Sequence, residues 1–237
     1  MSATSSETSS RPSEAKVARA RIAWLVMAGI FVATAFGAAA AGEMDEDAQP
    51  LYDYQLGVGS LVLYTIIIGV TVLIATRNFS SVRRALGVVS FRFRWIGIVL
   101  GLSFLALALS GLLEPLLHAG EEQGISTDEW RPEEATAFAL NAFVIVTVVP
   151  LAEELFFRGL GVRVLAPLGA WWAVLGTAVV FGLSHGILVA LPPLVFFGLV
   201  LGYVRLRSDS IWPGVIAHAF YNGVAIAAPL LVSGRMI

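Results

Sequence analysis

The chain of 237 residues has no cysteine. That absence excludes a thiol nucleophile, a cysteine-ligated metal and any disulfide. Charge is scarce too. Asp, Glu, Lys and Arg make up 14% of the residues, where soluble domains hold about a quarter. The net charge of −2 gives no footprint for nucleic acid, so none is expected as a partner. No internal repeat with broken helices in matching halves is visible, which argues against a transporter. There are only three histidines.

What is abundant is apolar sequence: 57% of residues are hydrophobic and the mean hydropathy is +0.82. The reading is an integral membrane protein, all-α, a polytopic transmembrane helical bundle of about seven spans. Residues 1–18 are rich in Ser and Thr and predict a disordered cytoplasmic tail. Residues 19–134 hold spans 1–3 with their loops, at about Ile22–Ala41, Leu56–Ala75 and Trp95–Leu113. The first run is longer than the apolar core of a signal peptide, so it reads as an uncleaved span. Residues 135–237 hold the remaining spans and every candidate functional residue but His118, which reads as a solvated bystander in an acidic loop. Their starts fall near Ala135, Ala170, the Pro192–Pro193 pair and Ile211. Basic segments (77–94, 158–163 and 205–207) alternate with acidic ones, which predicts the N-terminus inside and the C-terminus outside.

Ionisable residues at membrane depth are expensive and mark functional sites. The run Val149–Gly159 sets Glu153 and Glu154 side by side in apolar sequence, with Arg158 four positions on. On a helix Glu154 and Arg158 share a face and pair, while Glu153 points about 100° away and stays free. His185 follows Phe181 by four, and His218 precedes Asn222 by four, both pairs in apolar spans. A helix confined to Ala135–Phe157 would leave Glu153 close to the cytoplasmic face. Continuing it through Val164 brings Glu153 to the depth of the two histidines, in the cytoplasmic half of the membrane.

These residues suggest hydrolysis. Glu153 is the candidate general base on water, with His185 sharing the proton or holding the water. His218 and the Asn222 amide are candidate donors to the oxyanion of a tetrahedral intermediate. The same Glu153, His185 and His218 could instead hold zinc with an open position. No H-E-x-x-H pair exists, so no cofactor is favoured.

Three motifs stand in order on successive C-terminal segments: E-E-x-x-x-R (Glu153, Glu154, Arg158), F-x-x-x-H (Phe181, His185) and H-x-x-x-N (His218, Asn222). Together they resemble the CPBP family, the ABI membrane proteins related to type II CAAX prenyl endopeptidase, over about residues 135–225. The resemblance implies an intramembrane endopeptidase of a bacterial cell membrane. In it Glu153 and His185 activate water, His218 and Asn222 form the oxyanion site, and Glu154, Arg158 and Phe181 support them. It further implies membrane lipid and a peptide or lipidated protein as partners, with CAAX-type processing as one outcome. The sequence sets no oligomeric state.

Three other readings compete. Gly182-Leu-Ser184-His185-Gly186 matches G-x-S-x-G, but that motif has meaning on a strand-to-helix elbow; within a membrane helix its small residues serve close packing. An aspartyl protease is disfavoured because every Asp falls in a loop or at a span end. A non-catalytic membrane scaffold or bacteriocin-immunity-type protein, its polar cluster serving only folding, is the alternative outside enzymes.

Overall fold

The computed structural model describes residues 13–40, 49–117 and 130–232. His118 and residues 1–12 of the expected tail lie outside them. Among the described residues the architecture is all-helical: α1 (Glu14–Ala40), α2 (Tyr54–Asn78), the short α3 (Val82–Ala85), α4 (Arg94–Leu117), α5 (Pro132–Leu168), α6 (Ala170–Leu183), α7 (Leu191–Ser208) and α8 (Trp212–Val232). Helix α1 already starts at Glu14, so the last five residues of the stretch expected to be disordered are helical.

Six of these helices are long and apolar enough to cross a membrane. The expected seventh span is α6, whose 14 residues reach only about 21 Å at 1.5 Å per residue. A bilayer core is about 30 Å thick, so α6 turns back inside the bundle through residues 184–190, and α7 returns beside it. The two pack closely because small residues face each other. A Cβ added to Gly198 would lie 3.0 Å from the Ala178 Cβ, and one on Gly202 would lie 2.7 Å from Val174. Pro192 and Pro193 sit in the first turn of α7, where a missing N–H breaks no helical bond.

Contacts gather the three basic segments at one end of the bundle. Ile211 N–H donates to Gly87 O (3.0 Å), Ser210 Oγ to Val89 O (2.7 Å) and Arg21 Nε to Val164 O (2.9 Å), while the Arg163 guanidinium stacks over Phe79. At the other end the Asn141 amide donates to Leu51 O and Asp53 O, and Arg131 N–H to the Tyr52 hydroxyl. Exposed Leu, Ile and Phe such as Ile66 and Phe104 cover the outer faces, as lipid-facing helices require.

Helix α5 is unbroken but irregular, with wide turns over Val144–Val148 and Glu154–Gly161. The first follows from Pro150. Val149 N–H bonds back to Val144 O rather than to Ile145 O, and Pro150 has no N–H to offer. Ile145 O is therefore left without a donor from its own helix, and the Asn222 amide on α8 supplies one at 2.9 Å.

Candidate active site

Because α5 runs on to Leu168, Glu153 sits well inside the bundle. The carboxylate is buried, and its nearest polar neighbours come from two other helices. The Tyr64 hydroxyl of α2 lies 3.4 Å from Glu153 Oε1, and His218 Nε2 of α8 lies 3.6 Å from Oε2.

Glu154, one position on, is fully buried and faces Arg158 Nη1 at 3.0 Å. The guanidinium is equally buried. It donates through Nη2 to Gly198 O (3.2 Å) and lies 4.4 Å over the Phe181 ring. The expected separation of Glu153 from the Glu154–Arg158 pair is bridged by His218, whose Nδ1 lies 3.6 Å from Glu154 Oε1. One imidazole thus stands between two carboxylates. A Cβ on Gly214 would lie 2.5 Å from Glu154 Oε2, so only glycine there admits the carboxylate to α8. With one proton on the Glu153–His218 pair, two carboxylates, one guanidinium and one imidazole sum to zero, which limits the penalty of burying them.

His185 was expected within a span, and so was the G-x-S-x-G match. The structure places Ser184, His185 and Gly186 in the turn after α6. Gly186 adopts φ of 73°, and a Cβ there would run into the Ala35 backbone, so only glycine fits this turn. His185 Nδ1 is 2.8 Å from Phe181 O. A carbonyl can only accept, so Nδ1 carries the proton, leaving Nε2 in the neutral ring as the nitrogen that accepts. The Phe181 ring packs edge-on to both imidazoles, 4.9 Å from His185 and 5.7 Å from His218 between centroids.

Glu153, His185, His218 and Asn222 all line one cavity of about 360 Å³, together with Tyr64, Ser184, Phe197 and Tyr221. An apolar chamber of about 230 Å³ adjoins it, walled by Phe31, Leu63, Ile67, Phe156 and Phe157, and shares Tyr64, Glu153 and Ser184 with it. Among the described residues no three His, Asp or Glu side chains gather as a metal-ligand set.

Residues 135–224 match the protein-family model described as Type II CAAX prenyl endopeptidase Rce1-like. Over this segment the chain is similar to the CAAX protease family. No curated protein and no solved structure matches the chain. The resemblance carried by the three motifs is thus supported, over nearly the same residues, and the membrane setting by the six apolar helices.

The matched segment brings Glu153, Phe181, His185, His218 and Asn222 to one cavity, and Glu154 and Arg158 to the layer beside it. It does not close the site alone, since Tyr64 comes from α2, outside the matched residues. Sequence reasoning missed Tyr64. Its signal was a phenol midway along an otherwise apolar span, where a hydroxyl needs a partner. Ser184 lines the cavity, but its hydroxyl donates to Phe181 O (2.8 Å), and no base is bonded to it.

Proposed function

We propose that the chain is an intramembrane endopeptidase in which Glu153 and His185 activate water, without a metal, against a peptide bond held in the 360 Å³ cavity. The observation that carries this is the convergence of Glu153, His185, His218 and Asn222, from three separate stretches of chain, on that one cavity. With the shared proton on His218, Glu153 remains a carboxylate. The water oxygen bonds to the scissile carbonyl carbon while its proton passes to Glu153, with His185 Nε2 accepting from the water's second hydrogen to orient it. The resulting oxyanion takes hydrogen bonds from the His218 imidazolium and from the Asn222 N–H not used on Ile145 O. The tetrahedral intermediate then expels the amine, which leaves with the proton held by Glu153. The products are a carboxylic acid and an amine, and the base is regenerated.

The adjoining apolar chamber supports a substrate carrying a hydrophobic group near the scissile bond, such as a prenylated chain end. The basic end of the bundle is taken as cytoplasmic.

The test is cleavage of peptides, prenylated and not, by purified full-length protein beside Glu153→Gln and Ser184→Ala, each with and without a zinc chelator. Loss of roughly 10²-fold or more in kcat is expected for Glu153→Gln, with Ser184→Ala and chelation leaving cleavage in place. Cleavage by a folded Glu153→Gln protein at the wild-type rate would remove Glu153 as base. Loss on chelation would restore a metal, and loss in Ser184→Ala would point to a serine nucleophile. A folded wild type that cuts neither peptide would favour the scaffold.

A further inference from the structure

At the basic end, away from the catalytic cavity, α4 begins where α7 ends. One face of α4 contributes Arg94, Trp95 and Ile98, and one face of α7 contributes Tyr203, Leu206 and Arg207. Their spacings, i, i+1, i+4 and i, i+3, i+4, put each trio on one side of its helix. Between them lies a cleft of about 510 Å³. Both guanidiniums are held over rings, Arg94 Cζ 5.5 Å from the Trp95 centroid and Arg207 Cζ 6.0 Å from that of Tyr203. Stacking leaves their N–H groups unused, and among the described residues neither is paired with a carboxylate. Two buried or stacked basic side chains at this end are engaged elsewhere. Arg163 lies over Phe79, and the largely buried Arg205 packs on Gly87 and faces Asp209.

A second observation sets the depth of this cleft. Trp171 stacks on Tyr203, and Trp171 and Trp172 at the start of α6 are 64% and 68% exposed. Exposed tryptophans at the ends of membrane helices mark the headgroup level. The cleft therefore offers two free cations at headgroup depth, with Ile98 and Leu206 as apolar lining.

We propose that this cleft binds the phosphodiester of an anionic phospholipid from the leaflet at the basic end. The guanidiniums hold the phosphate oxygens and the apolar lining of Ile98 and Leu206 meets the first acyl carbons. No catalytic candidate takes part, so the assignment stands apart from the proteolytic reading.

The experiment incubates purified full-length protein with mixed micelles of equal phosphatidylglycerol and phosphatidylcholine, and reads retained lipid by native mass spectrometry. Wild type and the control Arg84→Ala, an exposed cation of the same end, should retain phosphatidylglycerol over phosphatidylcholine by about tenfold or more. Arg94→Ala/Arg207→Ala should lose that preference. Arg94→Gln/Arg207→Gln, which keeps polar bulk, should lose it too and guards against misfolding. Equal preference in a folded double variant and wild type would overturn the proposal. So would equal loss in Arg84→Ala, which would mean a diffuse charge effect. A parallel thermal-shift arm adds inorganic phosphate to delipidated protein. Stabilisation by phosphate matching that by phosphatidylglycerol would assign the cleft to a soluble phosphate and overturn the lipid.

Discussion

Removing the Arg158 charge should show how the buried cluster is balanced. In Arg158→Gln, Glu154 stays in its fully buried place but loses the guanidinium that lies 3.0 Å from its carboxylate. Breaking such a pair from one side costs about 3–5 kcal/mol, because the remaining charge is uncompensated. Gly198 O also loses its charged donor and the Phe181 face its cation, which add to the deficit. His218 Nδ1, 3.6 Å from Glu154 Oε1, can offset part of it by holding a proton. For a domain of this size that corresponds to a fall in Tm of roughly 6–20 °C. Glu154→Gln should be destabilising for the converse reason, leaving a buried guanidinium. The double variant Glu154→Gln/Arg158→Gln leaves no charge stranded, so its deficit should fall short of the sum of the singles by about 2 kcal/mol or more. The assay is unfolding in detergent micelles followed by circular dichroism across all four proteins. If the two single effects simply add, to within about 0.5 kcal/mol, Arg158 and Glu154 are not coupled and the charge balance drawn for the cluster is wrong.

Two further outcomes follow from the geometry. Tyr64→Phe removes the hydroxyl facing Glu153 Oε1 at the long distance of 3.4 Å, so kcat should fall about tenfold, for a loss near 1.4 kcal/mol, with little change in KM; a change in KM alone would make Tyr64 a binding residue instead. Gly214→Ala drives a methyl against Glu154 Oε2 and should cost about 1–3 kcal/mol of stability, measured by the same unfolding assay, while an unchanged Tm would mean α8 can yield at that point.

Much of the fold was legible because hydrocarbon imposes simple rules. Apolar runs long enough to span gave α1, α2 and α4 to within a few residues at most ends but the N-terminal one. The arginine-rich segments do meet at one end, as Ile211 on Gly87 and Arg21 on Val164 attest. The motif spacing put Glu154 opposite Arg158, and Phe181 beside His185. Less legible was whatever depended on packing between distant segments. Nothing local announces that His218 reaches both Glu153 and Glu154, or that Tyr64 approaches from α2. A uniform helical periodicity also carried His185 into a span, whereas the chain turns inside the bundle after only 14 residues of α6.

Pro150 was the local signal of irregularity in α5, and it links the fold to the site. Pro150→Ala restores an N–H at position 150 and replaces the poorest helix former with the best, a difference of about 3 kcal/mol in a regular helix. Val146 O or Ile145 O can then be satisfied within α5, and the wide turn Val144–Val148 can close to a regular one. Closing it removes one residue from the turn and rotates everything beyond it by about 100° relative to what precedes. Glu153 lies five residues beyond that turn, so its direction relative to the cavity wall formed by Asn141, Val144 and Ile145 would change. The Asn222 amide would lose its acceptor at the same time. The expected result is a protein as stable as wild type or more so, yet with much weaker cleavage. Peptide cleavage and thermal unfolding measured on one preparation separate the two effects. Full activity in a stabilised Pro150→Ala protein would mean that the wide turn does not set the direction of Glu153, and that α8 holds the site together without the bond from Asn222 to Ile145.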